Sequence, residues 1–393
     1  MHLSQRITNI TGGGSDGWDL FNRARAMIAQ GTEVTELTIG EHDIPTHPSI
    51  LTAMHEAALG GHTGYAAVPG TDQLRETVAA RLEAQTGVPT TAANVMITPG
   101  GQSALFASHM AVCDDGDVAL YIDPYYATYP GTIRGVGAVP RPVAAHAENA
   151  FQPRAEDIEA AAVGAASLLI NSPNNPTGVV YREDTLTRIG EVCQRHDMWL
   201  ISDEVYDTQV WEGQHLSPRA LPGMAERTLV VGSMSKSFAM TGSRCGWIAG
   251  PESAIDHLIT LATHTTYGVP GYIQDASVFA LTQGSDLEQE IAAPFRRRRV
   301  IAQDILARQN TVGLIPSQGA MYLMLDIRAS GMTGEAFAGA LLDAHHIAVM
   351  PGESFGSAAA GHVRVAMTIE DRAFARALAT LCTFAESRAH ETA

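Results

Sequence analysis

A single lysine, Lys236, follows an apolar run in the sequence TLVVGSMSKSF. The run is short and bounded by turn residues, so it predicts a buried strand that ends near Ser233. A lone lysine at such a place is unusual, because most lysines are solvent-exposed. Its amine can form an imine with an aldehyde, or act as a base once its pKa is lowered. A solvated loop lysine is the alternative, and the residues at neighbouring strand ends argue against it.

Polar side chains also follow two other apolar runs. The run MWLISD ends at Asp203, whose carboxylate is costly to bury unless it meets a cation or a hydrogen-bond donor. Tyr206 follows three residues later and offers a phenol. After SLLIN, the sequence SPNNPTG supplies Asn175, a neutral amide that can donate a hydrogen bond to a phenolate oxygen. These groups suit the recognition of an ionisable aromatic ring.

Two further strand ends and one arginine suit a phosphate and a flat ring. After NVMIT, Gly100 and Gly101 lead into a predicted helix, whose free N–H groups can bind an anion that approaches the glycine backbone. After DVALYID, either Tyr125 or Tyr126 could lay its ring against an aromatic ligand. Arg244, later in the segment SMSKSFAMTGSR, carries a guanidinium that is suited to phosphate.

These residues share one site only if the strands form one sheet. The chain alternates apolar runs with helical stretches, which predicts an α/β fold with a mainly parallel sheet. Ligands of such sheets bind beyond the carboxyl ends of the strands. The informative strands are short and apolar, as expected when both faces are covered: NVMIT (94–98), DVALYID (117–123), SLLIN (167–171), MWLISD (198–203) and TLVVGS (228–233). A smaller α+β domain is predicted after about residue 285, and the first 45 residues are expected to pack onto it.

The five strand ends together describe a site for a flat, phosphorylated, nitrogen-heterocyclic aldehyde. Such a molecule needs a lysine for the imine, a carboxylate for its ring nitrogen, donors for its ring oxygen and a pocket for its phosphate. Pyridoxal 5′-phosphate (PLP) matches each of these requirements, so it is the predicted cofactor. No metal site is predicted, because the histidines and the four cysteines lack the spacing of metal ligands.

The motifs SPNNPTG, SDEVYD and SKSFAMTGSRCGW resemble those of the class I/II aminotransferases, the aspartate-aminotransferase-like branch of the fold-type-I PLP enzymes. The resemblance extends from about residue 35 to about residue 370. It implies a large PLP-binding domain, residues 46–285, with a mainly parallel seven-stranded sheet flanked by helices. It also implies a smaller α+β domain formed by residues 1–45 and 286–393, and a cytoplasmic homodimer.

The resemblance assigns roles to individual residues. Lys236 would form the internal aldimine with PLP and act as general acid and base, Asp203 would pair with the pyridinium nitrogen, and Tyr206 would complete the catalytic set. The cofactor-binding residues that it implies are Gly100, Gly101, Gln102, Tyr126, Asn175, Asp203, Tyr206, Ser233, Ser235, Lys236, Arg244 and Tyr65. The substrate-binding residues are Gly40, Asn175 and Arg364, of which Arg364 would bind the α-carboxylate. Tyr126 would stack on the ring, with Tyr125 as the alternative, and Tyr65 would reach into the active site of the partner subunit.

The predicted function is transamination between an L-α-amino acid and a 2-oxo acid. A neutral or aromatic substrate is favoured, because the segment THTTYGVPGYIQ (263–274) lacks the extra arginine that an acidic substrate needs. A β-eliminating C–S lyase on the same scaffold is the alternative. A non-catalytic regulator is disfavoured, because no DNA-binding domain fits before residue 35. The chain departs from the family at GEHDI, where His42 and Ile44 replace a proline and a phenylalanine, so the shape of the substrate mouth is left open.

Composition excludes several other classes of protein. The 393 residues carry a net charge of −17, and an acidic surface repels the backbone of nucleic acid. No apolar run approaches the roughly 20 residues that span a bilayer, and no signal peptide is apparent. The basic run 296–299 predicts the solvated, ion-paired face of a long helix. The segment GGGSDGW (12–18) is interpreted as a flap at the entrance, with Trp18 lining the substrate mouth.

Overall fold

The structure is a computed structural model that describes residues 1–13 and 17–392. Its strands are β1 Thr35–Leu37, β2 Val95–Thr98, β3 Val118–Asp123, β4 Val139–Ala144, β5 Ala165–Asn171, β6 Trp199–Asp203, β7 Thr228–Ser233, β8 Gly246–Ala249, β9 Gly313–Leu314, β10 Tyr322–Asp326, β11 Ile347–Pro351 and β12 His362–Ala366. Its helices are α1 Gln5–Thr8, α2 Asp19–Ala29, α3 Pro48–Leu59, α4 Asp72–Thr86, α5 Gly101–Val112, α6 Tyr129–Gly135, α7 Ala155–Ala161, α8 Glu183–Arg195, α9 Met234–Ser237, α10 Glu252–Thr263, α11 Gly271–Thr282, α12 Ser285–Leu306, α13 Gly334–His345 and α14 Asp371–Thr392.

A seven-stranded sheet with the order β2-β8-β7-β6-β5-β3-β4 forms the larger body. Its strand pairs are parallel except those of β8, which runs antiparallel to both β2 and β7. The predicted α/β class with a mainly parallel seven-stranded sheet is therefore confirmed. Asn171 at the end of β5 pairs in register with Asp203 at the end of β6, and Asp203 pairs with Val231 of β7. The three strands thus bring their carboxyl ends to the same edge of the sheet.

Both faces of the sheet are buried at its central strands β5, β6 and β7, which explains their continuous apolar runs. Leu168 of β5 and Leu200 of β6 pack into a core on one face. Their neighbours Leu169 and Ile201 pack into a second core on the opposite face. Successive side chains of a strand point to opposite faces, so a strand between two helical layers needs apolar residues at every position.

A second sheet with the order β1-β11-β12-β10-β9 forms the smaller body. Strand β1 comes from the N-terminal segment and pairs in parallel with β11, whereas β12 pairs antiparallel with β11 and with β10. The N-terminal segment therefore joins the C-terminal part of the chain in one sheet. We therefore retain two domains as a proposal. The large domain comprises residues 46–285, and the small domain is formed by residues 1–45 together with residues 286–393.

The arginines of α12 differ from the prediction of a solvated face. Arg298 is 3% exposed, and it pairs with Asp43 at 2.6 Å and with Asp371 at 2.8 Å. Arg299 is 9% exposed and pairs with Glu212 at 2.6 Å. The predicted ion pairing is present, but the prediction that these side chains are solvated is wrong for Arg298 and Arg299. Carboxylates from three distant segments cover them, and those carboxylates compensate the cost of burying the cations.

Among the described residues, no helix combines the length and the apolar composition that crossing a membrane requires.

Candidate active site

A cavity of about 320 Å³ lies where the carboxyl ends of β5, β6 and β7 meet the smaller sheet. Many of the predicted site residues line it: Gly40, Gly101, Gln102, Tyr126, Asn175, Asp203, Tyr206, Ser233, Ser235, Lys236, Arg244 and Arg364. Gly100 adjoins it through Arg244. The fold thus brings together residues that are up to 324 positions apart, as in the pair Gly40 and Arg364.

Lys236 is held by the one-turn helix α9, which begins directly after β7. Ser233 caps this helix, and its hydroxyl accepts a hydrogen bond from the backbone N–H of Ser235 at 3.1 Å. Nζ of Lys236 donates to the carbonyl oxygen of Gly40 at 2.5 Å. The amine is therefore presented to the cavity and held there by the N-terminal segment.

The electrostatic surroundings of Lys236 favour its neutral form. Burial lowers the pKa of Lys236 to about 8, and the positive charges of Arg364 and Arg244 act in the same direction. Glu41 opposes this change, because its negative charge stabilises the ammonium. An amine with a pKa near neutrality can both accept and return a proton under physiological conditions.

Asp203 is a buried carboxylate without a cationic partner. It is 4% exposed, and no Lys, Arg or His nitrogen among the described residues lies within 4 Å of its oxygens. Oδ2 accepts a hydrogen bond from the phenol of Tyr129 at 2.6 Å, and Oδ1 accepts one from the backbone N–H of Val205 at 3.3 Å. Burial raises the pKa of Asp203 to about 6 despite these two donors. The carboxylate is therefore poised for a cationic ligand.

Arg364 lies in β12 and is 1% exposed. Nη1 donates to Oδ1 of Asn175 at 2.9 Å, and Nη2 donates to the carbonyl oxygen of Thr38. The guanidinium is stacked between the rings of Tyr322 and Phe355, with its Cζ 4.5 and 4.4 Å from their centroids. Within the described part of the chain no carboxylate pairs with it, and its Nε has no partner. Burial lowers the pKa of Arg364, so a bound carboxylate would supply the missing charge.

Tyr206 and Tyr322 are joined by a hydrogen bond of 2.9 Å between their hydroxyl groups, and both are buried. The hydroxyl of Tyr322 also lies against Gly40, where any Cβ would collide with it. Asn175 is fixed from the backbone side, because its N–H donates to Oδ1 of Asn171 at 2.7 Å. A connected polar layer therefore extends from the end of β5 to the smaller sheet.

An anion cradle lies at the N-terminus of α5. Gly100 caps this helix with a φ of +80° and no side-chain hydrogen bond, so the first N–H groups of the helix are left for a ligand. A Cβ at Gly100 would collide with the guanidinium of Arg244. Arg244 itself donates from Nη1 to the carbonyl oxygen of Thr241 at 2.8 Å, and no carboxylate among the described residues pairs with it. A helix N-terminus beside such a guanidinium suits a phosphate.

Tyr126, rather than Tyr125, faces this cavity. Tyr125 lines an outer cavity of about 830 Å³, and its backbone N–H donates to the carbonyl oxygen of Phe355 at 2.9 Å. Burial raises the pKa of Tyr126 to about 12, so its phenol stays neutral. The placement agrees with the choice of Tyr126 as the ring-stacking residue.

Gln102 and Trp18 line both cavities and therefore stand at their junction. The amide of Gln102 is committed, because Nε2 donates to Oγ1 of Thr132 at 2.8 Å and Oε1 accepts from Oγ1 of Thr128 at 2.9 Å. That Trp18 lines the substrate mouth stays a prediction. Residues 14–16 of the proposed entrance flap lie outside the described residues.

His42 does not line the active-site cavity, although it marks the departure from the family motif. Its ring packs edge-on against Phe295 with centroids 5.2 Å apart, and burial lowers the pKa of His42 to about 4. Tyr65 also lies outside the cavity of its own chain. It is 92% exposed, and its ring lies edge-on to that of Tyr267, with centroids 5.3 Å apart.

Sequence reasoning missed several residues of the site: Tyr129, Asn171, Tyr322, Phe355 and Glu41. Asn171 and Tyr129 carried a usable signal, because the first ends SLLIN and the second closes PYYATY, both at strand ends. Tyr322 opens a buried strand, where a tyrosine is indistinguishable from a core residue until its hydroxyl partner is known. Among the described residues, no group of three or more His, Cys, Asp or Glu side chains is arranged to hold a metal ion.

Comparison with known proteins gives one consistent family. The sequence model described as "Aminotransferase class I and II" matches residues 32–381. The chain is 38% identical over 370 residues to the arginine–pyruvate transaminase AruH of Pseudomonas aeruginosa, with 94% of each chain covered. It is 34% identical over 361 residues to the aspartate/prephenate aminotransferase of Thermus thermophilus, with 91% of this chain and 92% of the relative covered.

Solved structures agree with these relatives. The aspartate aminotransferase of Thermus thermophilus with maleate superposes with a TM-score of 0.90 at 31% identity, covering 97% of this chain and 100% of that one. The aromatic aminotransferase from Pyrococcus horikoshii gives a TM-score of 0.87 at 29% identity, with 93% and 99% covered.

Proposed function

This chain belongs to the class I and II aminotransferases, and from that premise we propose that it uses PLP to transfer an amino group between an L-α-amino acid and a 2-oxo acid. Its aminotransferase activity follows from the family and from relatives that span nearly the whole chain. The cofactor and the residue roles are supported by the charges in the cavity.

One observation carries the proposal: three charged side chains around Lys236, of which Asp203 and Arg364 are buried, lack partners of opposite charge among the described residues. Asp203 pairs with no described cation, and Arg244 and Arg364 pair with no described carboxylate. Buried charges of this kind are costly unless a ligand compensates them. A ligand pair that offers a protonated ring nitrogen, a phosphate and a carboxylate would match all three. PLP with an amino acid offers these groups.

We assign the cofactor-holding roles as follows. Asp203 keeps the ring nitrogen protonated, Tyr206 and Asn175 hydrogen-bond the ring oxygen, and Tyr126 packs on the ring. The phosphate is bound at the start of α5 by the residues that surround the cradle: Gly100, Gly101, Gln102, Ser233, Ser235 and Arg244. When bound, PLP supplies an electron-withdrawing ring that makes the Cα–H bond of an attached amino acid acidic.

The remaining residues orient the amino acid and move its proton. Arg364 and Asn175 bind the α-carboxylate, and a guanidinium clamped between two rings can fix its direction closely. The absence of a side chain at Gly40 lets the hydroxyl of Tyr322 approach the backbone beside this site. Lys236 then accepts the Cα proton as its free amine and returns it as the ammonium, which its lowered pKa of about 8 allows.

The substrate side chain is proposed to be neutral or aromatic and to extend past Trp18 and Gln102 into the outer cavity. The cations that line the inner cavity are Lys236, Arg244 and Arg364, and each already has a role there. A second carboxylate would therefore find no further cation in the inner cavity within the described chain, whereas Arg134 and Arg23, the latter paired with Asp343, line the outer cavity. Arginine is a second candidate donor, because the 38% identical relative is named an arginine–pyruvate transaminase and Glu41 lines the inner cavity.

The cofactor assignment is tested by reducing the PLP-treated protein with borohydride and mapping the modified peptide. We expect the label on Lys236 and no label in Lys236→Ala, which should lose transamination by at least about 10³-fold because the acid–base group is gone. Lys236 is the only lysine in the sequence, so absence of the label from its peptide, or near-normal turnover of Lys236→Ala, would show that the assignment is wrong.

The substrate assignment is tested with a panel of phenylalanine, leucine, arginine and aspartate, each with pyruvate or 2-oxoglutarate as acceptor. We expect aspartate to be the poorest donor. An S-substituted cysteine, which carries a thiol leaving group on Cβ, is added to the panel for the alternative: release of the thiol, ammonia and a 2-oxo acid from it without any added acceptor would instead support the β-eliminating lyase.

A further inference from the structure

Asp203 receives one strong hydrogen bond from a side chain that no sequence motif assigned. The phenol of Tyr129 donates to Oδ2 of Asp203 at 2.6 Å, which is the short distance typical of a hydroxyl bound to a carboxylate. The other donor, the backbone N–H of Val205, is 3.3 Å from Oδ1 and therefore weaker. Tyr129 is thus the main partner of the carboxylate.

The position of Tyr129 is fixed by the protein before any ligand binds. It is 2% exposed and is the first residue of α6, and its backbone N–H donates to the carbonyl oxygen of Tyr126 at 2.9 Å. Its ring also packs edge-on against that of Tyr126, with centroids 5.9 Å apart. Both Tyr129 and Asp203 line the active-site cavity.

Several titratable groups face Asp203 from the surrounding elements. Glu204, next to it in the chain, disfavours its negative charge, whereas Lys236 from α9 favours it. The buried phenols of Tyr126 and Tyr206 are also close enough to interact with its charge. Among these described groups, Tyr129 alone donates a side-chain hydrogen bond to the carboxylate.

We propose that Tyr129 is a positioning residue that holds Asp203 ionised and oriented, so that the carboxylate can stabilise the proton on the ring nitrogen of PLP. This inference rests on the proposed function. A phenol is suited to the task because it donates a hydrogen bond without carrying a positive charge. A lysine or arginine at this position would orient Asp203 but would also neutralise it, and the attraction for a protonated ring would be lost.

Removing the phenol should move the shared proton from the ring nitrogen towards Asp203. A hydrogen bond to a charged group contributes about 1.5–3 kcal/mol, so this proton equilibrium should shift about tenfold to a hundredfold in Tyr129→Phe. The shift is measured by the ¹⁵N chemical shift of ring-labelled PLP bound to the protein, recorded across a pH series. The pH at which the ring nitrogen loses its proton should be lower in Tyr129→Phe than in the natural protein.

A second variant changes the same bond in the opposite direction. Replacing Tyr129 with 3-fluorotyrosine makes the phenol more acidic and the hydrogen bond to Asp203 stronger, so the proton should stay on the ring nitrogen to a higher pH. This variant preserves the shape of the side chain and tests the proposal even if Tyr129→Phe folds poorly. Tyr181→Phe is the matched control, since Tyr181 is equally buried at 2% exposure but belongs to another core.

The outcomes separate this inference from the proposed function. If the natural protein does not bind PLP at Lys236, the proposed function fails. If it binds PLP but Tyr129→Phe and the fluorotyrosine variant both give the natural ¹⁵N titration, the role of Tyr129 is refuted. The role of Tyr129 is also refuted if Tyr129→Phe and the fluorotyrosine variant shift the titration in the same direction, or if Tyr181→Phe shifts it as much as Tyr129→Phe does.

Discussion

Buried charged side chains differ in their partners inside and outside the active site. Arg298 is buried in α12, where Asp43 and Asp371 compensate its charge at 2.6 and 2.8 Å. Asp203 and Arg364 are buried to a similar degree, but among the described residues the groups that hydrogen-bond to them are neutral donors or acceptors. Because a buried charge without a counter-charge is unfavourable, these two residues lower the stability of the ligand-free protein. The binding of cofactor and substrate recovers that free energy.

This argument predicts that Asp203→Asn stabilises the protein in the absence of PLP. The pKa of Asp203 is raised to about 6, above its value in the unfolded chain, so its contribution to stability falls as pH rises through about 6. The variant should gain about 1–3 kcal/mol in the free energy of unfolding at about pH 8, and about half of that at about pH 5, which still lies above the pKa of about 3.9 of an aspartate in the unfolded chain. Urea unfolding of the PLP-free proteins at both pH values measures this difference. A variant that is less stable at the higher pH would contradict the account.

The chemistry-bearing residues were predictable wherever an unusual residue type followed a clear strand. Lys236 and Asp203 were found because each ends an apolar run, and Arg364 was found through its resemblance to a known motif. Tyr129 and Tyr322 could not be assigned in the same way. Their roles depend on partners 74 and 116 positions away, which local patterning does not reveal.

At the scale of elements, the anion cradle depends on a single backbone position. Gly100 joins β2 to α5 with a φ of +80° and a ψ of 173°, a conformation that is essentially restricted to glycine. It also lets Arg244 lie directly over the start of the helix. The Gly-Gly turn was predicted from the sequence. The position of Arg244 against Gly100 could not be, because it depends on the antiparallel strand β8 passing beside β2.

Gly100→Ala should therefore weaken the binding of PLP. The added methyl group displaces the guanidinium of Arg244 from the cradle, so we expect the affinity for PLP to fall about tenfold or more. Gly116→Ala is the matched control, since Gly116 has a φ of +88° but no atom within 4 Å of an added Cβ. Both variants carry backbone strain of about 1–3 kcal/mol. The free energy of unfolding should therefore fall in both variants, whereas the affinity for PLP should fall only in Gly100→Ala. Equal losses of affinity, measured by equilibrium dialysis, would contradict the role of the cradle.

At the scale of the whole molecule, the site closes where the N-terminal segment crosses between the two sheets. The carbonyl oxygens of Thr38 and Gly40 accept hydrogen bonds from Arg364 and Lys236, one from each sheet system. Apolar patterning predicted both sheets, because strand runs are local signals. It did not predict that Arg298 would bind this segment through Asp43, since a run of arginines looks the same whether or not distant carboxylates cover it.

The exposed position of Tyr65 leads to a prediction about assembly. Tyr65 is 92% exposed and lies outside the active-site cavity of its own chain, and we propose that it completes the phosphate site of a partner in a homodimer. Tyr65→Ala should then weaken PLP binding, although the residue lies outside its own cavity. Light scattering should give twice the chain mass of 41.7 kDa for the natural protein and for the variant.

Hybrid dimers made from two impaired variants test directly whether Tyr65 acts in the active site of the partner subunit. In a hybrid of Lys236→Ala and Tyr65→Ala, the subunit that retains Lys236 receives Tyr65 from its partner, so one of the two sites is fully native. After unfolding and refolding as an equal mixture, half of the dimers are hybrids, and about a quarter of the natural activity should appear. The separately refolded variants, mixed afterwards without exchange, are the control. If co-refolding gives no more activity than that control, Tyr65 acts within its own subunit or not at all.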